Sequence, residues 1–176
     1  LHFIGTRSIT VIAVAGGFVG MVVALQFYDT LVRFGAVGLL GAAVGLSLVR
    51  ELAPVLTALI VIGRVGSAMC AEIAIMRNDN QIDALECMAI DPYGYLVAPR
   101  FIATIIAVPL LTAIFNVVGI AGGWFVGVVL FDIGEGAYFA SMADSLVWRD
   151  VLMDVVKSLS FALIIVWICT AKGYLL

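Results

Sequence analysis

FIATIIAVPLLTAIFNVVGIAGGWFVGVVLF, from Phe101 to Phe131, is 31 residues without a charged side chain. A soluble protein does not carry such a run on its surface. A bilayer core about 30 Å thick is crossed by roughly 20 apolar residues in a helix. At about 1.5 Å per residue this run reaches about 46 Å, too long for one upright crossing and too short for two. The sequence therefore predicts a tilted, kinked or protruding span. Pro109 is the expected kink, and Gly119, Gly122, Gly123 and Gly127 are expected to loosen its second half.

Three further stretches meet the same length criterion. Ile9 to Phe27 holds no charge, Leu52 to Met76 contains Arg64 and Glu72, and Val151 to Ala171 is interrupted by Asp154 and Lys157. A Gly-rich piece from Ala36 to Val49 is short, and reads as a re-entrant or interfacial segment. No stretch alternates with period two, which excludes a membrane β-barrel. The expectation is an all-α polytopic membrane protein, residues 1–176 forming one transmembrane domain with spans near 9–27, 52–76, 101–131 and 151–171.

Composition points the same way. Hydrophobic residues make up 64% of the chain and charged residues 12%, and mean hydropathy is +1.22. Soluble domains are about half apolar and a quarter charged, so a soluble enzyme is excluded. Nine Lys and Arg against 12 Asp and Glu leave a formal charge of −3, with no basic footprint for nucleic acid. Cys70, Cys87 and Cys169 are widely separated and odd in number, and read as reduced apolar side chains. The chain opens on Leu1 and closes within apolar Tyr174-Leu175-Leu176, which suggests a piece of a longer protein. No cleavable signal pattern is visible.

Small residues recur at helix-packing spacing: Gly16 and Gly20, Gly41 and Gly45, Gly63 and Ser67, Gly119 and Gly123, Gly123 and Gly127. Such pairs let backbones approach closely in lipid, either within one bundle or against a second copy. Charge does not orient the spans, because Arg7, Arg77, Arg100 and Lys172 on one side balance Arg33, Arg50, Arg149 and Lys157 on the other.

Between the second and third spans the sequence reads Arg77-Asn78-Asp79-Asn80-Gln81-Ile82-Asp83-Ala84-Leu85-Glu86-Cys87-Met88-Ala89-Ile90-Asp91-Pro92. Asp79 or Asn80 is a suitable N-cap and Asp91-Pro92 a suitable stop. Ile82, Leu85 and Ala89 fall on one face, Asp83 and Glu86 on another. The spacing predicts a short amphipathic helix over about 79–91 at the membrane surface. It either joins two spans or offers a soluble partner something to grip.

The run Leu48-Val49-Arg50-Glu51-Leu52-Ala53-Pro54-Val55-Leu56-Thr57-Ala58-Leu59 resembles the MlaE permease family. So do Gly63-Arg64-Val65-Gly66-Ser67-Ala68, Ala71-Glu72-Ile73, Met76-Arg77, the stretch from Gln81 to Pro92, and Pro99-Arg100. Pro109-Leu110-Leu111, Gly119-Ile120, Gly122-Gly123 and Lys157-Ser158 also fit, so the resemblance spans most of the chain. It implies the membrane subunit of a bacterial ABC-type transporter that moves phospholipid between inner and outer membranes. It further implies a homodimer with five spans per subunit, in the inner membrane. The implied partners are a cytoplasmic ATPase, a periplasmic MCE-domain protein and, on the ATPase, a STAS-domain protein. No cofactor is expected in this chain itself, ATP and Mg being bound by the ATPase. By the same resemblance the 79–91 segment is the coupling helix, with Asn80, Gln81, Asp83, Leu85, Glu86 and Met88 as its ATPase-facing residues. Asn80 stands where the family usually has Glu, so a role for that carboxylate does not carry over. The N-terminal amphipathic helix and the last span of the family would lie outside these 176 residues.

Ionisable groups at membrane depth cost free energy unless they meet a cavity or a partner. Arg50 and Glu51 are adjacent, so they point in different directions; they sit either at the mouth of a lipid cavity or as snorkelling interfacial groups. Leu52, Val55, Leu25 and Phe27 are candidates for the apolar wall of that path, along with Val22, Val23, Gln26 and Leu56. Arg64 lies about twelve residues into its span and is expected to pair inside the bundle. Glu72 is a loose partner at best, about 12 Å along the helix.

Other functions find little support. The single histidine, His2, lies at the start of the chain, and no second motif accompanies Tyr28-Asp29 to make an aspartyl pair. There is no H-E-x-x-H and no phosphate-binding G-x-x-x-x-G-K-[ST]. A secondary transporter or channel is the alternative, but the first and third spans carry no coupling charge.

Overall fold

The computed structural model describes residues 7–89 and 93–175, and among these every regular element is helical. Four helical stretches are long and apolar enough to cross a membrane: Ser8–Arg33, Val37–Asn78, Gly94–Leu130 and Trp148–Gly173.

Helix α1 (Arg7–Arg33) stops at Gly35, whose φ of +67° suits a residue without Cβ. The N–H of Ala36 returns to the Leu31 carbonyl at 3.0 Å and that of Gly35 to Val32 at 3.2 Å, capping the last carbonyls. The next helical stretch begins almost at once. It comprises α2 (Leu40–Ser47), α3 (Ala53–Val61) and α4 (Ser67–Asn78), joined by π-helical turns at Leu48–Leu52 and Ile62–Gly66. The 36–49 segment is therefore not a separate re-entrant piece; it extends the second span, expected over 52–76, towards its N-terminus. At about 1.5 Å per residue, 42 residues far exceed one bilayer, so this helix projects beyond the membrane.

Both π turns have a local cause or compensation. Pro54 has no N–H, and in an α-helix its partner would have been the Arg50 carbonyl. The chain widens instead, Ala53 bonding Leu48 five residues back. In the second turn Ser67 N–H reaches Ile62, and the Ser67 hydroxyl donates to the freed Gly63 carbonyl at 2.6 Å.

Helix α5 (Gln81–Cys87) follows after two residues, and α6 (Ala98–Trp124) runs through Pro109 and ends in a π segment, Phe125–Leu130. The loosening of the second half is confined to that last turn, because the α6 glycines are occupied in packing. A Cβ on Gly20 would fall into the Gly119 backbone, and one on Gly122 into the Gly17 carbonyl, so α1 and α6 lie backbone to backbone. Gly41 meets α7 (Glu135–Ser145) at the Tyr138 carbonyl, and Gly45 meets Met142. Most of the small-residue pairs thus serve packing within this chain; Gly63 alone among those pairs has no atom near its open side.

Helix α8 (Trp148–Leu175) completes the bundle, packing on α3, α4 and α6. Its Ala162 and Val166 share one core with Ala58, Val61, Val108, Leu111 and Phe115, all almost fully buried. Val14, Phe18, Leu59, Leu110, Val117 and Trp167 point outward, as the walls of a lipid-embedded bundle do.

Candidate functional site

Two places on the molecule gather polar chemistry, one at the first π turn of the second span and one beyond its C-terminal end. At the first, the π turn Leu48–Leu52 presents Arg50 and Glu51 on different sides of the helix, and each finds its partner on α8. Arg50 Nε lies 3.2 Å from Asp150 Oδ1, and Lys157 Nζ lies 2.9 Å from Glu51 Oε1. Lys157 also donates to the Arg50 carbonyl at 2.6 Å, the very oxygen that Pro54 leaves without a helical donor. Asp150 also closes the first turn of α8: its Oδ2 accepts the Val147 N–H at 3.2 Å, and a carboxylate at that end complements the helix dipole.

This network is open on one side. The Arg50 side chain is 59% exposed and Glu51 71% exposed, and neither Nη of Arg50 makes a hydrogen bond among the described residues. Leu46, Ser47, Arg50, Glu51, Met153 and Lys157 line a cleft of about 400 Å³. A neighbouring cleft of about 480 Å³ shares Leu46, Arg50 and Met153 and adds Ser145, Val147, Arg149 and Asp150. A guanidinium with a free planar edge beside an apolar wall suits an anionic head on an apolar body.

The apolar wall expected from sequence is not assembled here. Leu25 and Val55 face outward, while Phe27 and Leu52 are half-buried against the core, and none of the four lines either cleft. The apolar lining comes from Leu46 and Met153, which sequence reasoning passed over.

Arg64 also departs from expectation. Its side chain lies on the exposed side of the bundle and has no ion pair among the described residues. The π turn Ile62–Gly66 shifts the helical register, turning Val65 and Gly66 inward and Arg64 outward. Glu72 instead pairs across to Arg100 on α6 at 3.0 Å.

At the opposite end of the span, α5 is shorter than the sequence suggested. It covers Gln81–Cys87; Ala89 lies past its end with a φ of +58°, and Ile90, Asp91 and Pro92 lie outside the described residues. Asn80 is the turn residue between α4 and α5, at φ +56°, and its carbonyl accepts the Ala84 N–H at 3.1 Å, so it stands at the N-cap position of α5, one of the two positions expected from sequence. Asn adopts that left-handed conformation more readily than Glu, which gives the substitution a backbone reason. Ile82 is buried and Leu85 half-buried. Gln81, Ala84 and the Met88 beyond the helix remain exposed beside Tyr95 and Leu96, around a groove of about 250 Å³. The side chains of Asp83 and Glu86 lie outside the described residues.

Sequence reasoning missed Asp150 and Lys157 as the partners of Arg50 and Glu51, the helix α7, and the residues Asn116 and Asp154. A signal for the first pair was present: Asp150, Asp154 and Lys157 recur at helical spacing, and Pro54 follows Arg50 by four.

Comparison with known proteins identifies the family. The family described as Permease MlaE matches residues 1–176. An intermembrane phospholipid transport system permease protein MlaE of Haemophilus influenzae is 42% identical over 175 residues, covering 99% of this chain and 67% of that protein. A probable ABC transporter permease protein of Rickettsia prowazekii is 44% identical over 174 residues, again 99% of this chain and 67% of the relative. One from Synechocystis is 40% identical over 173 residues, 98% of this chain and 66% of the relative. The chain thus spans about two thirds of the length of these relatives. With a whole-chain family match and relatives of this identity, this polytopic helical chain belongs to the MlaE permease family.

Proposed function

We propose that this chain is the membrane subunit through which an ABC-type transporter moves phospholipid between the inner and outer membranes of a bacterium. Its similarity to a phospholipid transport permease supports the substrate class. The observation that carries the reading is the open Arg50 edge above the Leu46–Met153 wall, a place for a phosphate with its acyl chains alongside. The α5 end faces the cytoplasm, where the groove around Ile82, Leu85 and Met88 receives a separate ATPase that binds ATP and Mg. The Arg50 end then faces the periplasm and an MCE-domain protein. A second copy completes the pore, and a STAS-domain protein sits on the ATPase. ATP hydrolysis rocks the two subunits through α5, opening and closing the lipid cleft.

Purification of the full-length protein from its native membrane in mild detergent, with mass spectrometry of all that is retained, tests this reading. An ATPase, an MCE-domain protein and phospholipid in one peak is the expected result. A lone permease with neither ATPase nor lipid overturns it and favours an ion-coupled carrier. In the same preparation Arg50→Glu is expected to keep the proteins together and to lose at least about tenfold in lipid retained, about 1.4 kcal/mol.

A further inference from the structure

One buried polar contact has no part in the sites above. Asn116, on α6, donates Nδ2–H to Asp154 Oδ2 on α8 at 2.8 Å. Both residues are almost fully enclosed, at 9% and 6% exposure. Each nevertheless keeps its other oxygen, Asn116 Oδ1 and Asp154 Oδ1, buried with no donor among the described residues. Two orphaned acceptors at one contact between two spans are costly, and a charged carboxylate there is costlier still.

The cations nearby do not repair the deficit. On α8 itself Lys157 is held by Glu51 and the Arg50 carbonyl, and Arg149 is exposed. From the Leu48–Leu52 turn, Arg50 is turned to Asp150 and Glu51 adds negative charge. Helix α3 carries no charged residue, and the single one of α6, Arg100, pairs with Glu72 at the other end of the bundle. Arg64 and Arg77 belong to that far half of the second span as well.

We propose that Asp154 is a proton-binding site inside the membrane bundle. One proton from water on Asp154 Oδ1 turns an orphaned acceptor into a donor, and its natural acceptor is Asn116 Oδ1. The acid and the amide then close a two-bond ring that ties α6 to α8, with every polar atom of the pair satisfied. Loss of that proton to water opens the ring and leaves a carboxylate one turn from Lys157. Lys157 then has two competing anions, Glu51 and Asp154, and the Arg50 carbonyl stands to lose its donor. The proton therefore sets which anion holds Lys157 at the edge of the cleft. The proton site itself does not depend on what the permease carries.

Infrared spectroscopy of the full-length permease in lipid nanodiscs reads the proton directly. The expected result is a carbonyl band of a protonated carboxyl at neutral pH, shifted by deuterium oxide and by carbon-13-labelled aspartate, and absent from Asp154→Asn. In Asn116→Leu the band is expected to move to higher frequency, as its hydrogen bonds are lost. Carboxylate bands alone at neutral pH overturn the proposal; they are the result expected if a bridging water satisfies both oxygens instead. A protonated band indifferent to Asn116→Leu overturns it equally. The isotope-labelled wild type carries the test even if a variant fails to fold.

Discussion

Tyr138 shows how a single side chain can be spent on shape rather than on bonding. It is 1% exposed, fills the space between α2 and α6, and its hydroxyl has no hydrogen-bond partner among the described residues. Burial pushes its hydroxyl up to about 12 from the ordinary 10. The folded state therefore holds the phenolic proton more tightly than the unfolded chain. That contribution to stability is complete below pH 10 and is lost as pH rises through about 12. Tyr138→Phe is expected to fold with stability within about 1 kcal/mol of wild type, since no bond is broken. It is also expected to remove part of the alkaline loss, which unfolding followed by tryptophan fluorescence between pH 9 and 12 would show. An equal alkaline loss in Tyr138→Phe would place the titrating group elsewhere. No sequence pattern identifies such a residue, because an aromatic in a short amphipathic helix reads alike whether its hydroxyl is wet or buried. Arg50 and Glu51 were different: two adjacent charges at the edge of an apolar run are legible as a place that needs partners. Their partners were legible only in part: Asp150 and Lys157 recur at helical spacing in α8, but the tertiary fold decides that one meets Arg50 and the other Glu51.

Among the elements, the spans were readable and their irregularities were not. Apolar length alone marks the four membrane helices, since the bilayer imposes one dimension on all of them. The π turns at Leu48–Leu52 and Ile62–Gly66 leave no periodicity to detect, yet they decide that Arg64 faces outward. Helix α7 was invisible for another reason: its eleven residues are neither long nor apolar enough to register, and it exists by packing Tyr138 and Met142 on α2. The glycine spacing was legible as a packing device, but only the structure separates Gly20 from Gly63. A side chain at Gly20 meets the Gly119 backbone, which cannot rotate away, whereas Gly63 faces open space. Gly20→Val is expected to destabilise the isolated subunit by at least about 2 kcal/mol by prising α1 from α6. Gly63→Val is expected to leave the isolated subunit unchanged, within about 0.5 kcal/mol. Unfolding of both variants in mixed micelles compares them directly. Equal stability of the two would mean that α1 and α6 do not meet backbone to backbone.

For the whole molecule, the second span is the connection between its two polar ends. Arg50 and Glu51 stand in the first of its two widened turns, α5 hangs from its end, and the second widened turn lies between them. The bundle fixes each end separately, through Asp150 and Lys157 at one and through Glu72 with Arg100 at the other. On the proposed function, a displacement of α5 would be carried along a helix anchored to α8 and α6, with the π turns as the places where its register can yield. If an ATPase works this lever from the cytoplasm, its grip must include the polar face of α5, whose charged residues in the sequence are Asp83 and Glu86. Replacing both by lysine reverses that face without touching Ile82, which anchors α5 in the groove. The double variant is expected to insert and to keep its stability, because the sequence places both residues off the apolar face of α5. It is expected to bind the ATPase at least about tenfold more weakly, about 1.4 kcal/mol, measured by co-purification at fixed ionic strength. Phospholipid retained by the detached permease would then separate the two ends, since the Arg50 cleft is built without α5. Full retention of the ATPase would show that the grip lies on the apolar groove alone, and α5 would act by its shape rather than its charge.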